Sequence, residues 1–171
     1  MRNLLLLASL FFIAIGTYPL YAGDGNPDAI IGNWVTQEGD AKIEIYKCGT
    51  NYCGKIVWLK SPNDKNGKPK LDDKNKDKSL KNRALMGLQV LESFDHNYTQ
   101  GHDVWTGTAY NPKWGSKSSG AIRLKKDGTL AVKGWNKDRK KVGATWTRDA
   151  RESGGVKPPP KLQNTPKSGG R

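Results

Sequence analysis

Apolar and polar residues alternate along most of the chain with a period of two, and short clusters of glycine, proline, asparagine and aspartate interrupt the alternation. A period of two sends apolar side chains to one face of an extended strand and polar ones to the other. Eight runs carry it: residues 34–36, 41–46, 55–59, 88–91, 104–110, 120–124, 129–135 and 142–147. They are rich in β-branched and aromatic residues, which suit a pleated, half-buried surface. Between them lies turn chemistry: Glu38-Gly39-Asp40, Asn111-Pro112, and Asp127-Gly128, a strong hairpin signal. No stretch sustains a 3.6-residue period, and only residues 79–83 leave room for a turn or two of helix. The pattern predicts an all-β fold, a small antiparallel up-and-down barrel of about eight strands, because closure removes the exposed edges of a sheet.

Both ends of the chain depart from this pattern. Residues 1–22 begin with Arg2, continue in an apolar run from Leu4 to Ile15, and break at Gly16 and Pro19 before the small Ala22. This is the layout of a secretory signal peptide. The apolar run is too short for a membrane span, which needs about 20 residues. The barrel domain is expected over 23–148. Residues 149–171 contain Gly154-Gly155 and Pro158-Pro159-Pro160 without an apolar pattern, and are expected to form a basic, disordered tail. Export places the domain in an oxidising compartment, where Cys48 and Cys53 are expected to pair. Their four-residue spacer suits neither a thioredoxin-type motif nor a zinc site. Closing so short a loop is worth about 2 kcal/mol, enough to fix a hairpin tip but not to hold the fold.

Charge adds a second theme. Lys and Arg number 29 against 16 Asp and Glu, a net charge of +13, or +12 once Arg2 is removed. Residues 60–83 hold nine basic residues and four acidic ones, and Lys137, Arg139, Lys140 and Lys141 form another cluster. Such a surface attracts anionic partners: lipid head groups, lipopolysaccharide phosphates or an acidic protein. The competing reading is a solvated surface that serves solubility. Export excludes a physiological nucleic-acid partner, and no transmembrane segment remains after cleavage.

Six tryptophans and six tyrosines are many for a chain of 171 residues. Trp34 and Trp146 are expected to fill the core. Trp58, Trp105, Tyr110 and Trp135 are the candidate ligand-binding residues, with two readings open: they line a cavity for a small hydrophobic or amphipathic molecule, or they pack the barrel solidly. Trp114 lies in a turn, as a rim contact. His96 and His102, with Asp95 and Asp103, read as an inter-strand loop and not as a metal site. Residues 72–77 lack the glycine and terminal glutamate of a calcium loop. There is no phosphate loop, nucleophile elbow or paired-carboxylate motif. No catalytic residue, metal or cofactor is expected, and the chain does not read as an enzyme.

Two groups of residues carry a resemblance. Gly32-Asn33-Trp34 on the first strand and Trp146-Thr147-Arg148 on the last resemble the lipocalin-type closure, in which an arginine covers a tryptophan at the barrel base. The run from Cys48-Gly49-Thr50-Asn51-Tyr52-Cys53-Gly54 to Lys55-Ile56-Val57-Trp58-Leu59 is more specific, and resembles the bacterial exported family named domain of unknown function 2147. The matches span 31–36, 42–59, 73–77, 85–94, 105–112 and 130–148. Departures occur at Ala84, Glu92-Ser93 and Asn111-Pro112, where that family favours proline, a glycine-like stretch and Asp-Pro. The resemblance implies a lipocalin- or streptavidin-like barrel in a Gram-negative periplasm, with Trp34 and Arg148 as its closure, and no catalytic residues. The resulting expectation is a periplasmic or secreted carrier of a small amphipathic molecule. The alternative is an envelope protein that contacts anionic surfaces through its basic loops and tail.

Overall fold

The computed structural model describes residues 25–99, 102–135 and 141–150. The predicted signal peptide, the basic residues at 137–140 and the tail from 151 onward lie outside the described residues. Eight strands follow one another: β1 (Gly32–Val35), β2 (Ala41–Cys48), β3 (Asn51–Leu59), β4 (Gln89–Thr99), β5 (His102–Asn111), β6 (Ser116–Leu124), β7 (Leu130–Trp135) and β8 (Lys141–Arg148). Each pairs antiparallel with its neighbours in sequence, and β8 returns to β1 through Trp34–Arg148 and Val35–Thr147, closing the barrel. The alternation thus forms the all-β up-and-down barrel it predicts, one strand for each of the eight runs.

Two differences concern local structure. The segment around His96 and His102, read above as a loop, belongs to β4 and β5, which pair from Asp95–Thr106 out to Thr99–His102. Ladder hydrogen bonds are indifferent to side-chain polarity, so the exposed Asp95, Asn97 and Tyr98 conceal the strand without preventing it. The helix expected near 79–83 is a single 3-10 turn, Lys78–Leu80, capped by the Asp77 carboxylate. A further 3-10 turn, Pro27–Ile30, precedes β1. Asn26 caps it by accepting from the Asp28 N–H, and Pro27 at its start has no N–H to lose.

The disulfide Cys48–Cys53 spans the β2–β3 hairpin with a Cα–Cα distance of 5.8 Å. Its tip turns at Gly49, whose φ of 71° suits a residue without Cβ.

Side-chain size divides the interior in two. In the half next to the Pro27–Ile30 turn, Trp34, Trp105, Phe94, Ile45, Ile122 and Leu130 are essentially inaccessible to solvent. Phe94 crosses the lumen over two glycines: a Cβ on Gly107 would come within 2.7 Å of its ring, and one on Gly120 within 3.0 Å. The barrel is therefore solid at this end. The 3-10 turn plugs it from outside, since the Trp34 indole donates to the Ile30 carbonyl at 2.8 Å and the Trp105 indole to that of Pro27 at 3.0 Å. Arg148 stacks on the Trp34 ring at 4.3 Å and donates to the carbonyls of Ile31 and Ala29 at 2.9 and 2.8 Å. This closure is thus assembled from sequence positions more than a hundred residues apart.

Candidate functional site: a half-hollow barrel under a basic strap

At the opposite end the inward residues become small. Ala109 on β5, Ser118 on β6, Gly134 on β7 and Ala144 on β8 leave space where the closed end has bulky side chains. Ile43, Ile56, Leu91, Val132 and Trp146 supply apolar walls. The result is a cavity of about 1040 Å³ that opens to solvent. It is at the upper end of the range for small-molecule sites, which also combine apolar walls with a few polar groups.

Residues 60–88, between β3 and β4, run across the mouth as a strap. Leu71, Leu85, Lys70 and Lys74 from this strap line the cavity. Short bridges, Asn63–Pro69 and Leu71–Ala84, fold it on itself. The strap is fastened to the barrel by Asp72, which is 1% exposed. Its carboxylate accepts from the Tyr110 hydroxyl at 2.5 Å, the Asn75 amide at 2.8 Å and Arg83 Nε at 2.9 Å. Asn75 also donates to the Tyr110 oxygen at 3.0 Å. Burial pushes the Asp72 carboxyl up, but the hydrogen bonds from Asn75, Tyr110 and Arg83 outweigh it and leave its pKa lowered. Burial first, and then the Asp72 carboxylate, push the Tyr110 phenol up to about 12. A second contact is backbone against backbone. Gly115, in the β5–β6 turn, lies so close to the Lys74 carbonyl that no Cβ fits there.

The four candidate ligand-binding residues separate. Tyr110 lines the cavity, with its hydroxyl committed to the strap. Trp105 lies in the packed end, its indole bonded to Pro27. Trp58 is on the outer face, 38% exposed, with the Lys42 ammonium 5.5 Å from its ring centroid. The cause is a bulge: Ile56 pairs with Ile43, but Trp58 pairs with Lys42, so the alternation slips and Trp58 turns outward beside Lys42. The backbone of Trp135 ends β7, and its side chain lies outside the described residues. Trp146, read as a core filler, packs against the hydrophobic core and also forms part of the cavity wall, and Trp114 stands 55% exposed at its rim. What the sequence reading missed was the line of small residues at Ala109, Ser118 and Ala144. The available signal was inward positions too small to fill a lumen.

His96 is held by Asp103, Nε2 to Oδ1 2.8 Å, and tilts against Trp105 with centroids 4.9 Å apart. The pair packs against the closed end. Among the described residues, no three His, Cys, Asp or Glu side chains are grouped to hold a metal ion.

Asp149, assigned above to the tail, is tied to the barrel. Its N–H donates to the Asn33 carbonyl at 2.9 Å and its carboxylate meets the Lys42 ammonium at 2.5 Å.

Comparison with known proteins agrees with this architecture. Among solved structures, the chain is similar to protein HP1028 from Helicobacter pylori, which belongs to the lipocalin family, with a TM-score of 0.54 and 21% identity. The match covers 70% of this chain and 82% of that one, and shows a lipocalin-like fold. No curated protein matches the chain. The family model described as "Uncharacterized protein conserved in bacteria (DUF2147)" matches residues 32–151, from the first strand of the barrel past the last. The chain belongs to that family.

Proposed function

We propose that this protein is an exported, non-catalytic carrier that binds one small amphipathic molecule in the open half of its barrel. The observation that carries this reading is the division of the lumen: glycines and Phe94 close one end, while small residues leave about 1040 Å³ unfilled at the other. Interiors are ordinarily close-packed, so a void of this size inside a sheet is a site and not a packing accident. The apolar walls suit a hydrocarbon or ring system, and the mouth is wide enough for a polar group to stay in water. A Gram-negative periplasm is the compartment we assign, supported by the composition of residues 1–22 and by the Cys48–Cys53 disulfide.

The test uses the neutral probe N-phenyl-1-naphthylamine, whose fluorescence rises in apolar surroundings. One probe should bind per chain, and Ala144→Trp, which narrows the cavity from β8, should weaken binding without unfolding the barrel. Absence of saturable binding by the wild-type protein, or equal binding by the narrowed variant, would overturn the proposal. Native mass spectrometry of protein taken from the periplasm should show a discrete extra mass that denaturation removes.

A further inference from the structure

We infer that the molecule carried here bears an anionic head group, held at the mouth by lysines of the strap. The inference rests on the carrier reading above and names the chemistry of its ligand. Six lysines line the same cavity as the apolar wall: Lys60, Lys68, Lys70, Lys74, Lys113 and Lys133. Four carboxylates share that mouth, and one of them is already ion-paired. Asp40 is paired with Lys113 at 2.9 Å and accepts from the Thr36 hydroxyl at 2.8 Å. Asp64 closes a turn of the strap by accepting from the N–H groups of Asn66 and Lys68 at 2.8 and 2.9 Å. Glu38, Asp64 and Asp73 keep their charge, against four strap lysines, Lys60, Lys68, Lys70 and Lys74, with no carboxylate within ion-pair distance among the described residues. The uncommitted charge at the mouth is therefore positive, directly above a wall that rejects charge.

Geometry places these cations where a head group would be. A chain lying along Ile43, Leu91 and Trp146 can end only toward the strap, because Phe94 blocks the other direction. Ser116 and Ser118 on β6 line the same wall and offer hydroxyl donors to an acid oxygen. The charge surplus and the cavity, separate features in the sequence, thus belong to one site. Exposed lysines attract through a screened field, so their contribution depends on salt. Carboxylate and phosphate heads share this chemistry, and the experiment separates them.

The experiment is displacement of N-phenyl-1-naphthylamine from the intact protein by decanoate, decyl phosphate, 1-decanol and decyltrimethylammonium, each below its micelle concentration. At low salt the better of the two anions should displace the probe at a concentration about tenfold lower than the alcohol, and the cation should be weakest. The better anion identifies the head group. In 0.5 M sodium chloride the gap should shrink to about threefold or less. The variant Lys68→Gln/Lys70→Gln/Lys74→Gln should lose the preference for anions, read as the ratio of decanol to anion displacing concentrations within that variant. Equal displacement by all four amphiphiles, or an anion preference that survives the triple variant and high salt, overturns the anionic assignment and leaves the carrier reading standing. Failure of the probe itself to bind overturns both.

Discussion

At the scale of single residues, the closed end depends on Arg148. Its guanidinium covers the Trp34 ring and supplies donors to two carbonyls that leave the 3-10 turn without strand partners. A cation–π contact is worth about 0.5–2 kcal/mol and each hydrogen bond about 1 kcal/mol net, with incomplete additivity. Arg148→Ala should therefore cost about 2–3 kcal/mol in urea denaturation. Arg148→Lys should recover only part of it, because an ammonium cannot stack and donate in two directions at once. A loss below about 0.5 kcal/mol would show that the seam between β1 and β8 holds by itself.

Two phenols at opposite ends report on two different attachments. Tyr52 donates to Asp28 of the plug at 2.5 Å, and Tyr110 to Asp72 of the strap. Burial and the neighbouring carboxylate push each phenol up to about 12, above the ordinary value near 10. A raised folded-state pKa favours the fold while the phenol is neutral. Each contribution is thus fully present below about pH 10 and is lost as pH rises toward about 12. The Asp72 carboxyl has the opposite sign: its lowered pKa contributes above the ordinary carboxyl range and is lost in acid. Absorbance at 295 nm should show two late-ionising phenols in the wild type and one each in Tyr52→Phe and Tyr110→Phe. Two late phenols in both variants would mean that neither is held as described.

At the scale of elements, β4 to β6 are fitted to one another through Phe94. Gly107 meets the Phe94 ring, the Phe94 Cα and the Glu92 carbonyl, all within 2.8 Å of where a Cβ would sit. Gly107→Ala must move backbone as well as side chain, and should cost about 2–3 kcal/mol. Adding Phe94→Leu should relieve only the ring clash, so a double variant as stable as the wild type would place the strain elsewhere. The strap is fastened differently, by one buried carboxylate. Asp72→Asn keeps the shape but turns one acceptor oxygen into a donor, set either against the Tyr110 hydroxyl or against the Arg83 and Asn75 donors. It should release the strap, seen as faster amide exchange over residues 70–88 with the strand amides still protected.

These elements also show why some of the structure was legible in the sequence and some was not. Alternation marked all eight strands because a barrel gives each strand one dry face, and the turn residues fixed their antiparallel order. It could not place Trp58, since a bulge shifts the register at Lys42 and Ile43 without leaving a composition signal. It hid the outer part of β4 and the first two residues of β5, where polar side chains resemble a loop. The strap was legible only as lysine-rich chain. Its order comes from Asp72, a carboxylate that sequence assigns to solvent and the fold buries beneath Tyr110.

At the scale of the whole molecule, dense packing and open volume occupy opposite ends of one closed sheet. The packed end needs bulky residues and tolerates no excess volume, whereas the open end keeps Ala109, Ser118 and Ala144 small and forgoes the burial that larger residues there would provide. Such a void is costly to the fold, and filling it ought to stabilise the protein while removing its capacity. Ala144→Leu is the direct trial. The larger side chain extends toward Val132 and Trp146 into the unfilled lumen, and should raise stability by about 1 kcal/mol. The same change should weaken binding of N-phenyl-1-naphthylamine at least about tenfold. The sign of the pair of effects is the decisive point. A variant more stable and less able to bind marks a lumen kept open for a ligand. A less stable variant would mean that β8 is already in tight contact there, and that the barrel is solid at both ends.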